Sequence, residues 1–412
     1  MSTAAVVSAL PLEGLRVLDA STFLAGPICC SLLADWGADV VKVEPPGGDP
    51  ARTLGGPVVG PGMTPTFVSG NRGKRAIAVD YGRPEGRDVV ARLAACSDVV
   101  VHNQRDDVAA RLGLEPTALS ARGSTAVVCS ISAFGPVGAY AGRPALDSMI
   151  QAMTGMATLT GETAGIPMRA GPQVIDVGTG MTAAGAVAAA LLGRERTGVP
   201  RHVSVSLYDV GLLFNAGFVV MRSADGRTPP RLANRSHPLL ADQFATADGF
   251  VVVAVWDTRR WSALCEALGV ADMLDDPDLA DNDGRLRHYD RVGPRLERAI
   301  RGWTSAALRD VLDDLGVLCC ITADLDAVVA DAHTRTSGAI YDEARVGPET
   351  IQMAAGPVRI DGARAVAGRP CPRLGEHSVE ILGEWLLADD AESNVLLDDG
   401  VVIPDSADDR IS

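Results

Sequence analysis

Short runs of β-branched and apolar residues alternate with helix-like stretches through the first half of the chain, and that alternation restricts the fold more than any other feature. LRVLDAS (Leu15 to Ser21) reads as a strand, GPICCSLLADWGA as a helix with Pro27 at a tolerated first-turn position, and DVVKVEPP as a second strand. The pattern repeats through RAIAVDY, the helical PEGRDVVARLAACS, DVVVHN and STAVVCSIS, which ends before Gly135. Strands that are apolar on both faces and joined by helices predict a mostly parallel sheet covered on both sides. The fold class is therefore α/β, with a large Rossmann-like domain. No G-x-G-x-x-G follows the first strand, so nicotinamide chemistry has no support.

A Gly/Pro-rich loop, PPGGDPARTLGGPVVGPGMTP, runs from Pro45 to Pro65 and is long enough to suggest function. A second Gly/Pro/Arg-rich stretch, SADGRTPPRLANRSHP, precedes a strand pair turning at Asp248-Gly249 and then helices to about Leu315. These boundaries predict residues 1–225 as the N-terminal part of the large domain, 226–330 as a smaller α+β domain, and 331–412 as a segment returning to the large one. Asp389, Asp390, Glu392, Asp398, Asp399, Asp405, Asp408 and Asp409, balanced only by Arg410, predict a solvated acidic tail.

The 412 residues are 47% hydrophobic and 22% charged, a globular composition, and their net charge of −15 argues against a nucleic-acid partner. A local basic pocket for a phosphorylated small molecule remains compatible with that charge. The eight cysteines form no C-x-x-C pair or His/Cys cluster, so neither a metal site nor a disulfide framework is expected, and the chain reads as reduced and cytoplasmic. The N-terminus lacks a basic region before its short apolar patch, and no run of about 18 apolar residues suggests a membrane span.

One carboxylate stands out. In GPQVIDVGTGMTAAGAVAAALLGRERTG, Asp176 precedes two glycines and an alanine-rich run. A helix N-cap is one reading. The other is a nucleophile that attacks an activated acyl carbon, with N–H groups freed by Gly178 and Gly180 holding the oxyanion.

An ordered set of segments then resembles one family across almost the whole chain: PLEGLRVLDASTFLAGPICCSLLADWGADVVKVEPPGGDPAR, NRGKRAIAVDY, SDVVVHNQRDDVAARLGL, ALDSMIQAMTGMATLTG, QVIDVGTGMTAAGAVAAALLGRERTG, HVSVSLYDVGL and RLGEHSVEIL. The family is the family III CoA-transferases, whose relatives include formyl-CoA transferase, carnitine CoA-transferase and α-methylacyl-CoA racemase. The resemblance implies an acyl-CoA and a small carboxylic acid as substrates, no cofactor beyond the CoA thioester, no metal, and an interlocked homodimer. It places the nucleophile at Asp176 and CoA contacts at Phe23, Ala25, Asn103, Gln104 and Arg111. Lys74 and Arg75 in NRGKR supply local positive charge, and Arg52 is the candidate for an arginine that the formyl-CoA enzymes carry where this chain has Pro45. Asp147 and Asp257 are possible accessory acids. With Leu24 in place of a glutamine and Gln104 in place of an aromatic, formyl-CoA with oxalate is not the expected substrate pair.

Two alternatives remain at this level. Racemases pair the same acid with a histidine in G-H-D, but Ala145, Leu146 and Asp147 stand here, and leucine cannot move a proton; His237 is a conceivable replacement. A protein that binds CoA esters without turning them over is the other, although it would have no chemical need for Asp176.

Overall fold

The computed structural model describes residues 10–60, 62–343 and 350–405. Strands β1 (Arg16–Ala20), β2 (Asp39–Glu44), β3 (Lys74–Val79), β4 (Val99–His102), β5 (Val127–Ser132) and β6 (His202–Ser206) run parallel in the order β3-β2-β1-β4-β5-β6. That is the doubly wound arrangement, whose winding reverses between β1 and β4. Further chain forms a three-stranded antiparallel sheet, β7 (Leu240–Ala245), β8 (Phe250–Val255) and β9 (Leu318–Ile321), and two small hairpins, β10 (Ile340–Glu343) with β11 (Ile351–Ala354) and β12 (Arg359–Ile360) with β13 (Ala363–Arg364).

The helices that matter below are α1 (Ala25–Asp35), α2 (Pro84–Ala95), α3 (Asp106–Arg111), α4 (Asp147–Met153), α5 (Val174–Thr197) and α6 (Leu207–Phe214), then α7 (Thr258–Ala267), α8 (Ser378–Leu386) and α9 (Asp390–Asp398). One face of the parallel sheet buries Leu18, Val41, Ile77, Val100 and Val128 against Val89, Leu93, Leu119, Ile381 and Trp385. Helices α1 and α5 cover the other face, α1 over β1, β2 and β4 and α5 over β5 and β6. Contrary to the expectation that no run could span a membrane, α5 is long and apolar enough by length and composition, with a mean hydropathy of 1.5. Its contacts with α1, α6, β5 and β6 make it a packed core helix.

Two compact units make up the fold: the first falls within Met1–Thr154, Ala170–Gly217 and Ala332–Ser412, the second is Gly155–Arg169 with Phe218–Asp331. The second unit therefore takes in a segment, Gly155–Arg169, that the sequence boundaries left in the large domain. Its physical tie is Arg231, whose guanidinium donates to the carbonyls of Thr158, Glu162, Gly165 and Ile166.

Most carboxylates of the acidic C-terminal stretch do face solvent, and α9 buries none of its residues, but the described part is folded and not a free tail. Asp389 caps α9 by accepting from the Glu392 N–H at 2.8 Å. Beyond α9, β14 (Val402–Ile403) pairs antiparallel with β3 and buries Val402. Apolar Val401 and Val402 outweigh the neighbouring carboxylates. Asp408, Asp409 and Arg410 lie outside the described residues.

Candidate active site

Helix α5 begins at Val174, with Gln173 as its N-cap, so Asp176 is the third helical residue and not the cap. The cap comes from elsewhere in the sequence. Buried Asp147, first residue of α4, accepts the Ile175 N–H at 2.8 Å and the Asp176 N–H at 3.1 Å on one oxygen. Its other oxygen accepts from Gln151 Nε2 at 2.6 Å, and the Gln151 carbonyl oxygen in turn receives the Ala170 N–H. Two donors left unpaired at the start of a helix are thereby satisfied by a carboxylate 29 residues before Asp176.

The Asp176 carboxylate is half-buried and makes no hydrogen bond or ion pair among the described residues. Burial, and then the charge of Asp147, push it up to about 6. It is thus an unpaired acid that is still mostly ionised at pH 7.

Gly178 and Gly180 do not form an oxyanion loop, because both lie inside α5, where their N–H groups belong to the helical ladder. They serve close packing instead. A Cβ on Gly178 would meet the Phe214 ring at 2.7 Å, and one on Gly180 would lie 2.6 Å from the Ala25 carbonyl oxygen. Asp176 and Gly180 share a helix face one turn apart, about 6 Å along the axis. The close approach at Gly180 therefore sets the Asp176 end of α5 against the start of α1.

That start is the turn after β1, at the point where the sheet reverses its winding. Thr22 is clamped at both its N–H and its carbonyl by the Asn103 side-chain amide, at 2.9 and 2.8 Å, and Gln104 Nε2 donates to the Ala20 carbonyl. Phe23 is 42% exposed and has φ +65°, a left-handed conformation that costs a non-glycine residue energy. Ala25 opens α1 and is buried. Phe23, Ala25, Asn103 and Gln104 are thus gathered at one crevice, the place where doubly wound folds receive ligands.

The expected cations divide. Arg111 is on the surface at the end of α3, beside Asp107 at 3.5 Å. Lys74, Arg75 and Arg52 are buried and committed to internal partners, which corrects the expectation that they face CoA. Lys74 Nζ contacts Asp19, the carbonyls of Pro27 and Gly70, and Asn71, all within 2.9 Å. Arg75 pairs with Asp39 and Glu384. Arg52 grips Glu44 with two nitrogens at 2.7 Å and stacks on Phe67. In the second unit Asp257 caps α7, and the Arg260 N–H at 2.8 Å, followed by the paired Arg260 side chain, holds it below the usual carboxylate range.

Sequence reasoning missed Lys42, Asp19 and Asp49. Lys42 lies 2.9 Å from Asp49 and 3.9 Å from Asp19, all fully buried side chains. Burial alone would raise Asp19, yet Lys42 and Lys74 hold it at about 2. A lone lysine inside DVVKVE and an Asp before Pro in GGDPAR, the signature of a capped turn, were the available signals.

The family described as CoA-transferase family III matches residues 12–378. The chain belongs to CoA-transferase family III. The transferase is 34% identical over 382 residues to succinate–glutarate CoA-transferase of Agrobacterium fabrum, covering 91% of this chain and 95% of that one. It is 34% identical to succinyl-CoA:mesaconate CoA-transferase of Haloarcula hispanica, over 90% and 96% of the two chains. Among solved structures, a CaiB/BaiF family protein from Brucella suis superposes with a TM-score of 0.82 at 32% identity, covering 92% of this chain and all of that one. The mixed α/β fold with its mostly parallel central sheet is therefore the family's.

Proposed function

We propose that this transferase moves CoA from an acyl-CoA thioester to a free carboxylic acid through a covalent intermediate on Asp176. The observation that carries the reading is the Asp176 carboxylate: raised only to about 6, without a partner among the described residues, and one helical turn from the place where Gly180 meets the Ala25 carbonyl. A carboxylate oxygen attacks the thioester carbon, the C–S bond breaks, and CoA leaves as thiolate with a mixed anhydride on Asp176. The thiolate then attacks the Asp176 carbonyl carbon, releasing the donor acid and leaving an aspartyl-CoA thioester. The acceptor carboxylate repeats the sequence in reverse and departs as a new acyl-CoA, returning Asp176 to its starting state. No base is needed at the nucleophile.

The relatives are named for short dicarboxylic acids, so succinyl-CoA with glutarate is the first pair to try. The CoA ester would occupy the crevice formed by Phe23, Ala25, Asn103 and Gln104, with exposed Arg111 as a phosphate contact. We assign the active form as a homodimer, in which a second copy covers exposed Leu213 and Phe214 on α6. Its eight free thiols suit a reducing cytoplasm. Leu146 is 61% exposed at the place where racemases carry their histidine, which favours transfer over α-proton chemistry.

The test is intact-protein mass spectrometry after incubation with succinyl-CoA and an acid quench, with a parallel hydroxylamine-treated sample in which a thioester or anhydride on Asp176 is released as the hydroxamate. An adduct of one CoA less one water on the wild type, mapped to Asp176 and absent from Asp176→Asn, is the expected result. Turnover without any adduct, or an adduct that persists in the variant, defeats the assignment.

A further inference from the structure

Three consecutive peptide units after β1 are held by side chains. Asp19 accepts the Ser21 N–H at 3.0 Å, Lys42 donates to the Ser21 carbonyl at 2.9 Å, Asn103 clamps Thr22 from both sides, and Asp49 Oδ1 accepts the Phe23 N–H at 3.2 Å. Asp49 is 1% exposed, and its two oxygens have different duties. Oδ1 also caps the short turn at Pro50 through the Ala51 N–H at 2.9 Å, whereas Oδ2 faces Lys42 Nζ at 2.9 Å. Its own N–H is fixed by Glu44, which Arg52 holds in turn. The strained φ of Phe23 persists because this surrounding network over-determines it.

We propose that Asp49, oriented by Lys42, is a positioning residue that holds Phe23 in its left-handed conformation and so sets the crevice turn for the acyl-CoA. The inference rests on the reading that the CoA ester lies on that turn. It needs both carboxylate oxygens: an amide at position 49 has one acceptor and cannot serve Lys42 and the Phe23 N–H together. In Asp49→Asn the buried ammonium takes that oxygen and the Phe23 N–H loses its acceptor. Removing the cation as well frees the oxygen, and Asp19 keeps Lys74 as its counter-charge.

The experiment compares Asp49→Asn, Lys42→Met/Asp49→Asn and Lys42→Met/Asp49→Val in the full-length protein. It reads KM for succinyl-CoA and kcat with glutarate, together with amide hydrogen exchange in a peptide covering Leu18 to Gly26. We expect Asp49→Asn to raise KM about tenfold with kcat within about threefold, and to speed exchange at Phe23. Lys42→Met/Asp49→Asn should restore much of both, short of the part owed to the lost Lys42 bond to the Ser21 carbonyl, and Lys42→Met/Asp49→Val, which lacks that bond too and has no acceptor, should restore neither. If Asp49→Asn does not fold, the two uncharged double variants carry the comparison.

Equal KM and equal exchange in those double variants would overturn the proposal. Exchange that follows the pattern with a flat KM would overturn the link to substrate. A wild type with no CoA transfer at all would sink the functional reading, while exchange still tests the hold on Phe23, so the two failures are distinguishable.

Discussion

Asp176 stands in the first turn of a helix, where negative charge is ordinarily favourable, yet its carboxyl is raised to about 6. Burial dominates, and Asp147 already occupies the N–H groups at that helix end. The folded state therefore holds the Asp176 proton over a range, from about pH 4 to 6, in which the unfolded chain has released it. Stability falls as pH rises through that range and the penalty persists above it. Asp176→Asn removes the penalty, so it should gain roughly 1–3 kcal/mol at pH 8 and less at pH 4.5, measured by denaturant titration at both. A gain equal at the two pH values would contradict the raised carboxyl. Asp147→Asn keeps a capping oxygen but loses the charge, so Asp176 should ionise at lower pH. The acid limb of the kcat/KM profile, which falls as Asp176 is protonated, should move down in pH. Asp176 itself was legible as a candidate from its sequence neighbours. The Asp147 contact was not, because the fold and not a local pattern brings α4 to the start of α5.

At the scale of elements, α5 draws its place from small residues. Gly180 lies where any Cβ would press on the Ala25 backbone oxygen, whereas the obstacle at Gly178 is the Phe214 side chain, which can turn aside. Alanine gains helix propensity at either site, up to about 1 kcal/mol, so the sign depends on whether the neighbour yields. Gly180→Ala should be destabilising by about 1–3 kcal/mol and Gly178→Ala clearly less so, as read from urea midpoints. Equal effects would mean that α5 does not meet α1 so closely. The glycines are conspicuous in the sequence, but an oxyanion loop and a helix contact both ask for glycine, and only the backbone path separates them. Strands β1 to β5 of the parallel sheet were readable because their apolar runs are bounded by helical periods, whereas β6, HVSVS, has only two apolar residues and was not. Strand β9, LCCI, was not, since four apolar residues fit a strand or a buried helix turn equally well.

For the molecule as a whole, the sheet depends on residues far along the chain. Without β14, the Ala78–Asp80 end of β3 would lose its strand partner, while His377 and Ser378 still hold Ala76 and the Ala78 N–H, so a short open edge would be left as a template for association between copies. Val401 and Val402 pack in the same core as Ile381, Leu382 and Trp385, and partly buried Leu396 and Leu397 of α9 lie against it. A two-residue strand carries too little periodicity to be recognised, and the acidic residues around it point toward solvent exposure. Ending the chain after Asp389 removes α9 and β14 while leaving every residue of the candidate crevice in place. Burial of the two valines alone contributes about 3–6 kcal/mol, a large share of an ordinary domain's stability. The shortened protein should therefore melt well below the full chain and elute partly as aggregate in size-exclusion chromatography. If it instead keeps its melting temperature and oligomeric state, β14 is an ornament on a sheet that is complete without it, and the His377 and Ser378 bonds to Ala76 and Ala78 suffice to protect the edge of β3.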